Sequence, residues 1–153
     1  ESMFTDDSVM TIAVADALIK AGPDADGDLI REKGVQCMKE WGHRYPHAGC
    51  GGRFGVWLHY NDSKPYGSWG NGSAMRVSPV AWAFHKKDIV LNAAKQTAEC
   101  THNHPEGIIG AQTVALAVCR ALQLRRLNLK AHDVVRSVIT ECLDYSGYSI
   151  DIH

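Results

Sequence analysis

Between Ser8 and Ala21 the chain reads Val9, Met10, Ile12, Ala13, Val14, Ala15, Ala17, Leu18 and Ile19 around a lone Asp16. On a helical wheel these residues leave almost no polar face, which predicts a helix enclosed by a core rather than lying on one. Gly22-Pro23 supplies the stop, and a short Asp/Gly loop follows. From Asp28 to Trp41 the pattern changes to one apolar stripe of Ile30, Cys37, Met38 and Trp41, so a second, half-exposed amphipathic helix is predicted there.

From Gly42 to Gly72 no helical period is sustained, apart from a possible turn of helix at 53–60. Glycines alternate with Tyr, Trp and Phe in this stretch. Long loops in compact domains are functional or disordered, and the aromatics favour a shaped, functional one. Helical spacing of Ala, Val, Ile and Leu then returns over 74–84, 88–101, 105–122 and 131–145, with Pro105 at a tolerated first-turn position. Strand-like alternation, internal repeats and low-complexity tracts are not found. The expectation is an all-α fold, with residues 1–153 forming one compact multi-helix domain.

Composition narrows the function classes. The 45% apolar and 22% charged content is that of an ordinary folded protein. With a formal net charge of -1 the chain has no sequence-wide field to hold nucleic acid or an anionic membrane, so any anionic ligand must be captured locally. The longest uncharged apolar stretches, such as 108–118, are too short to cross a bilayer, and no transmembrane segment is expected. Five cysteines, odd in number and mostly set in apolar helical patterns, read as reduced thiols and suggest a cytoplasmic protein. The chain opens on Glu1, immediately before its most polar motif, and is expected to be a piece of something longer.

Candidate chemistry lies in three places, each at a predicted helix N-terminus. Thr5-Asp6-Asp7-Ser8 sets two adjacent carboxylates between hydroxyls at the head of the most apolar helix. One of them would suffice as an N-cap, whereas two repel unless a cation neutralises them, and a hard divalent ion takes such oxygens. Gly70-Asn71-Gly72-Ser73-Ala74-Met75-Arg76 is either a turn with a cap or a set of exposed amides that cradles an anion. Thr101-His102-Asn103-His104-Pro105-Glu106-Gly107 lacks the partner ligands of a tetrahedral zinc site and suits hydrogen bonding to sugar hydroxyls and phosphate instead. The histidines at 43, 47, 59, 85, 132 and 153 read as surface or loop residues. Bundle folds gather helix ends around one cleft, so the joint occurrence carries more than any single motif.

In their order and separation, Phe4-Thr5-Asp6-Asp7-Ser8, Gly70 to Val77 and Thr101 to Gly107 resemble the ADP-ribosylglycohydrolase family. That family includes the dinitrogenase-reductase-activating glycohydrolases and the hydrolases of ADP-ribosyl-arginine and ADP-ribosyl-serine. The resemblance implies an all-helical hydrolase that cleaves the N- or O-glycosidic bond between ADP-ribose and an acceptor, with ADP-ribose or an ADP-ribosylated protein as partner. It implies two divalent ions, Mg²⁺ or Mn²⁺, with Thr5, Asp6 and Asp7 as metal ligands and Asp6 and Asp7 as the catalytic pair. By the same likeness Gly70, Asn71, Gly72, Ser73, Met75, His102, His104 and Gly107 bind substrate, and Tyr66 and Trp69 pack nearby.

Members of that family also carry a Gly-Asp segment before the first motif and a Gly-Gly-Asp-Ser-Asp-Thr-like motif near the C-terminus. Neither stands in this sequence. The domain is therefore expected to be incomplete at both ends, to bind metal weakly, to be inactive in isolation, and to self-associate through uncovered apolar faces. A non-catalytic module that binds ADP-ribose or a nucleotide is the alternative reading.

Overall fold

The computed structural model describes residues 4–60, 62 and 64–148, and every regular element among them is helical. α1 (Asp6–Ala21) and α2 (Gly27–Arg44) pair closely, followed by the short α3 (Gly52–His59) inside the glycine-rich stretch. α4 (Gly72–Met75), α5 (Ser78–Ala83), α6 (Lys87–Glu99), α7 (Pro105–Leu124) and α8 (Ala131–Ser146) complete the described chain, with a 3₁₀ turn at Arg125–Leu127. The all-α expectation holds.

The apolar wheel of α1 has a direct explanation, because two core clusters meet on it. Val14 and Leu18 join Val77, Val80, Val90, Ala94, Ala111 and Ala115 on one side. On the other, Val9, Met10, Ala13 and Ala17 join Cys37, Met38, Trp57, Leu58 and Cys100. With side chains such as Met10 and Val14 at 0% exposure, each contributes roughly 1.5–3 kcal/mol by leaving water. The helix is thereby fixed along its length, and its N-terminal turn is presented at one end of the bundle.

Helix ends follow local chemistry. Gly22, at φ 87°, closes α1 by donating its N–H to the Leu18 carbonyl. The Asp26 side chain caps α2 by accepting from the Leu29 amide at 2.8 Å. The periodicity predicted one helix over 74–84, but the chain breaks into α4 and α5. Pro79 has no N–H to return to the Met75 carbonyl, which faces the Thr11 hydroxyl at 3.4 Å instead. Arg76 falls in that break.

α7 with its 3₁₀ extension is long and apolar enough by length and composition to cross a bilayer, a property that core helices of folded domains share. Its small-residue face, with Gly107, Ala111 and Ala115 buried, lies against α4, α5 and α6, while α8 meets it at Thr113 and Arg120. The five cysteines form no disulfide, and Cys37, Cys100 and Cys119 are buried.

Candidate active site

The N-terminal turn of α1 carries Thr5, Asp6 and Asp7. Thr5 occupies the N-cap position without a side-chain cap bond, and the Asp6 amide donates to the Ala48 carbonyl at 2.8 Å. Asp6 is half-buried and Asp7 exposed, while the Thr5 hydroxyl reaches the Asp7 carboxylate at 3.4 Å. Two carboxylates and a hydroxyl thus share one helical turn, in which the Asp6 carboxylate accepts the Asp7 amide at 3.1 Å and Thr5 caps nothing. Oxygen-only donors of this kind fit Mg²⁺ or Mn²⁺ rather than a soft metal.

The Asn-Gly turn sits across from them. Asn71 makes no side-chain cap bond to α4, and beneath it the buried Ser73 hydroxyl donates to the Gly107 carbonyl at 2.7 Å. That bond ties the second motif to the third. A Cβ on Gly72 would lie 3.0 Å from both Cε1 and Nε2 of His102, so any side chain there makes the imidazole or the turn give way by a few tenths of an ångström. Gly107 is tighter still, its missing Cβ lying 2.8 Å from the Ser68 carbonyl oxygen.

His102 is 4% exposed, and its Nδ1 lies 2.7 Å from the Thr101 hydroxyl. Burial first, then the nearby Arg76 charge, push its pKa down to about 4, so the ring is neutral at neutral pH. His104 behaves differently. It is exposed and caps α7, accepting the Glu106 amide on Nδ1 at 3.2 Å, with Trp69 tilted over it at 6.3 Å. The other histidines within the described residues, at 43, 47, 59, 85 and 132, are exposed as expected, and His153 lies outside them.

A hollow of about 330 Å³ opens between these elements. Asp6, Gly70, Asn71, Gly72, Met75 and His102 line it, so residues from all three motifs converge on one space. Thr5 and Asp7 stand beside Asp6 on the same turn without lining it. Ser73 and Gly107 lie behind the wall, and His104 lies outside it. A hollow of about 400 Å³ between α1 and α5 is lined by apolar groups such as Leu18, Ile19, Trp82 and Phe84, and offers no titratable side chain.

Arg76 also lines the hollow, and the motif reading assigned it no role. It is 1% exposed, yet no carboxylate pairs with it among the described residues. Its Nη2 donates to the Thr97 carbonyl at 3.1 Å and to the Thr101 hydroxyl at 2.8 Å, the Phe54 ring lies 5.9 Å from its Cζ, and Nε has no partner. Burial holds its pKa below the usual guanidinium value, against the opposing pull of Cys100 and Tyr66. The available signal was a single Arg inside the apolar run from Ala74 to Trp82. Arg53, stacked over Tyr66 at 5.0 Å, adds a second cation to the wall.

A cluster of potential metal ligands lies elsewhere. Asp16, Cys37 and Glu40 place ligand atoms within 4.8 Å of one another, but the Lys20 ammonium already contacts Asp16 at 3.0 Å and Glu40 at 2.8 Å. That ammonium supplies the positive charge a metal would bring.

The family model described as ADP-ribosylglycohydrolase matches residues 1–149. Among curated proteins, the chain is 46% identical to ADP-ribosylhydrolase ARH3 of Gallus gallus over 57 residues, which are 37% of the chain and 16% of that relative's length.

Proposed function

Because the chain belongs to the ADP-ribosylglycohydrolase family, matched over residues 1–149, we propose that the whole protein hydrolyses the glycosidic bond between ADP-ribose and an acceptor, with ADP-ribose held in the hollow between α1, α3, α4 and the His102 loop. The observation that carries this reading is the sharing of one space by Asp6, the Asn71-Gly72 turn and His102. Their chemistry suits a dinucleotide-like ligand. The turn offers backbone close to an anion, His102 offers a neutral polar edge, Arg53 and Arg76 offer positive charge, and Tyr66 and Phe54 offer aromatic surface.

On this reading Asp6 and Asp7, with the Thr5 hydroxyl, hold a divalent ion, Mg²⁺ or Mn²⁺, and the remaining positions belong to water, ligand oxygens or residues outside this chain. When bound, such an ion polarises ribose oxygens and a water as the anomeric bond breaks through an oxocarbenium-like state. The protein's own residues do the positioning. Gly72 and Met75 set the depth of the hollow, Gly70 and Asn71 orient the ligand's phosphate and ribose oxygens, and His102 donates to or accepts from them without carrying charge. Ser73 and Gly107 keep the two walls in register, and His104 holds the start of α7 where the loop needs it.

The test uses the full-length protein with Mg²⁺ or Mn²⁺ and mono-ADP-ribosylated arginine and serine peptides, beside an Asp6→Ala, Asp7→Ala variant. Metal-dependent release of ADP-ribose that the variant loses is the expected result. Equal release by both proteins would remove the metal assignment. Tight binding of ADP-ribose without release from any acceptor would make the protein a binding module.

A further inference from the structure

Arg76 and His102 are joined by a single hydroxyl. Arg76 Nη2 donates to Thr101 Oγ1 at 2.8 Å, and the same oxygen lies 2.7 Å from His102 Nδ1. A guanidinium can only donate, so one lone pair of the Thr101 oxygen is already taken. The 2.7 Å contact contains one proton, which belongs either to the hydroxyl or to Nδ1. If it were on Nδ1, the oxygen would accept twice, its own buried proton would have to find another acceptor, and the positive end of the N–H would point toward a buried cation. If it is on the hydroxyl, the Thr101 oxygen, its proton and Nδ1 are all partnered and the Nδ1 lone pair faces the charge. Tyr66 also neighbours this hydroxyl and its phenol oxygen offers that proton an acceptor, so hydrogen-bond counting admits both forms, and the Arg76 charge facing Nδ1 is what selects the lone pair there.

We propose that Arg76 is a positioning residue which, through the Thr101 hydroxyl, locks His102 as the neutral tautomer protonated on Nε2, so that the ring presents a permanent hydrogen-bond donor to a ligand oxygen in the hollow. Several independent features support this. Arg76 is fully buried with no carboxylate partner among the described residues, a costly arrangement for a purely structural side chain. Thr101 is 0% exposed, with its backbone fixed on both sides, the N–H donating to the Ala98 carbonyl and the carbonyl accepting from the Tyr66 amide. The Nε2 edge of His102 faces Gly72, at the wall where Asn71 and Gly70 border the same hollow. Thr101 thus aims the ring and Arg76 decides which nitrogen carries the proton. That the ligand oxygen belongs to ADP-ribose rests on the function proposed above; the tautomer does not.

The experiment is nitrogen-15 histidine NMR on the full-length protein near neutral pH, where ring-nitrogen shifts distinguish the two tautomers and the imidazolium, combined with calorimetric titration of ADP-ribose. Wild type and Thr101→Ser are expected to show His102 as the Nε2–H form alone. Thr101→Val, which keeps the shape and removes the bridge, is expected to show a mixture with Nδ1–H. The ADP-ribose Kd is expected to rise about tenfold in Thr101→Val and to stay within about twofold in Thr101→Ser, the scale of one lost hydrogen bond. An Nδ1–H or imidazolium pattern in wild type overturns the proposal, as does an unchanged tautomer in a folded Thr101→Val. Should Thr101→Val fail to fold, the wild-type spectrum alone decides. An Nε2–H wild type that binds no ADP-ribose upholds the lock and overturns the function proposed above.

Discussion

The Ser73 hydroxyl donates a 2.7 Å hydrogen bond to the carbonyl of Gly107, joining the Asn-Gly turn to the first turn of α7 from behind the wall of the hollow. Both residues are buried, so the bond faces no competition from water. Ser73→Ala removes the donor while the Gly107 carbonyl keeps its place in the helix, and the expected cost is about 1 kcal/mol. Urea unfolding reads the stability change. ADP-ribose binding should weaken alongside it, because the turn and the His102 loop lose their common tie. A variant with unaltered stability would show that the two walls are held by packing alone.

Gly72 tests the same wall from inside. A methyl there would stand 3.0 Å from Cε1 and Nε2 of His102, so either the ring tilts away or the turn backs out of the hollow. Gly72→Ala is therefore expected to weaken ADP-ribose binding roughly tenfold, while unfolding free energy shifts by no more than about 1–2 kcal/mol. Calorimetric titration beside urea unfolding separates the two effects. Unchanged affinity would place the ligand away from this edge.

Much of this was legible in the residues. The polar-poor wheel of α1 announced a helix with core on both sides, and Val14 facing one cluster with Met10 facing the other is that reading realised. Asp6, Asn71 and His102 stood out because carboxylates, Asn-Gly turns and histidine loops at helix starts are local patterns. Arg76 did not, since its importance comes from tertiary burial without a counter-charge, and sequence spacing carries no information about what surrounds a side chain. The helix break at Arg76-Val77 was missed for a related reason. The spacing of apolar residues over 74–84 carried no weight for Pro79, which suits a helix that starts beside it and not one that runs through it.

A buried, unpaired guanidinium is a poor stabiliser, and that makes Arg76 informative. Replacing a buried charge by an apolar side chain of similar length is often neutral or stabilising, whereas a residue kept for function shows loss of binding instead. Arg76→Met is expected to leave stability within about 1 kcal/mol of wild type or above it, and to weaken ADP-ribose binding tenfold or more. Thermal unfolding and titration measure the two sides. A strongly destabilised Met variant would mean that the bonds to Thr97 and Thr101 outweigh the desolvation of the charge.

The pH dependence of stability follows from His102. In the fold its pKa lies near 4, depressed first by burial and then by Arg76, against 6.5 for a free histidine. Between those values the unfolded chain binds a proton that the folded chain refuses, so stability rises with pH across the window. The contribution is complete above about pH 6.5 and is lost as pH falls toward 4, with a span on the order of 3 kcal/mol. Glu40 and Asp16, whose pKa values are lowered by their hydrogen bonds to Lys20 and Trp41 respectively, lose their contributions only below their ordinary carboxylate values, at the acid end of the window or beyond it. His102→Gln keeps a polar side chain but removes the titration. Urea midpoints measured from pH 7 down to 4 should therefore fall steeply for wild type and more gently for the Gln variant, the two curves converging as the pH drops. Parallel curves would mean that His102 takes up its proton in the folded state as readily as in water.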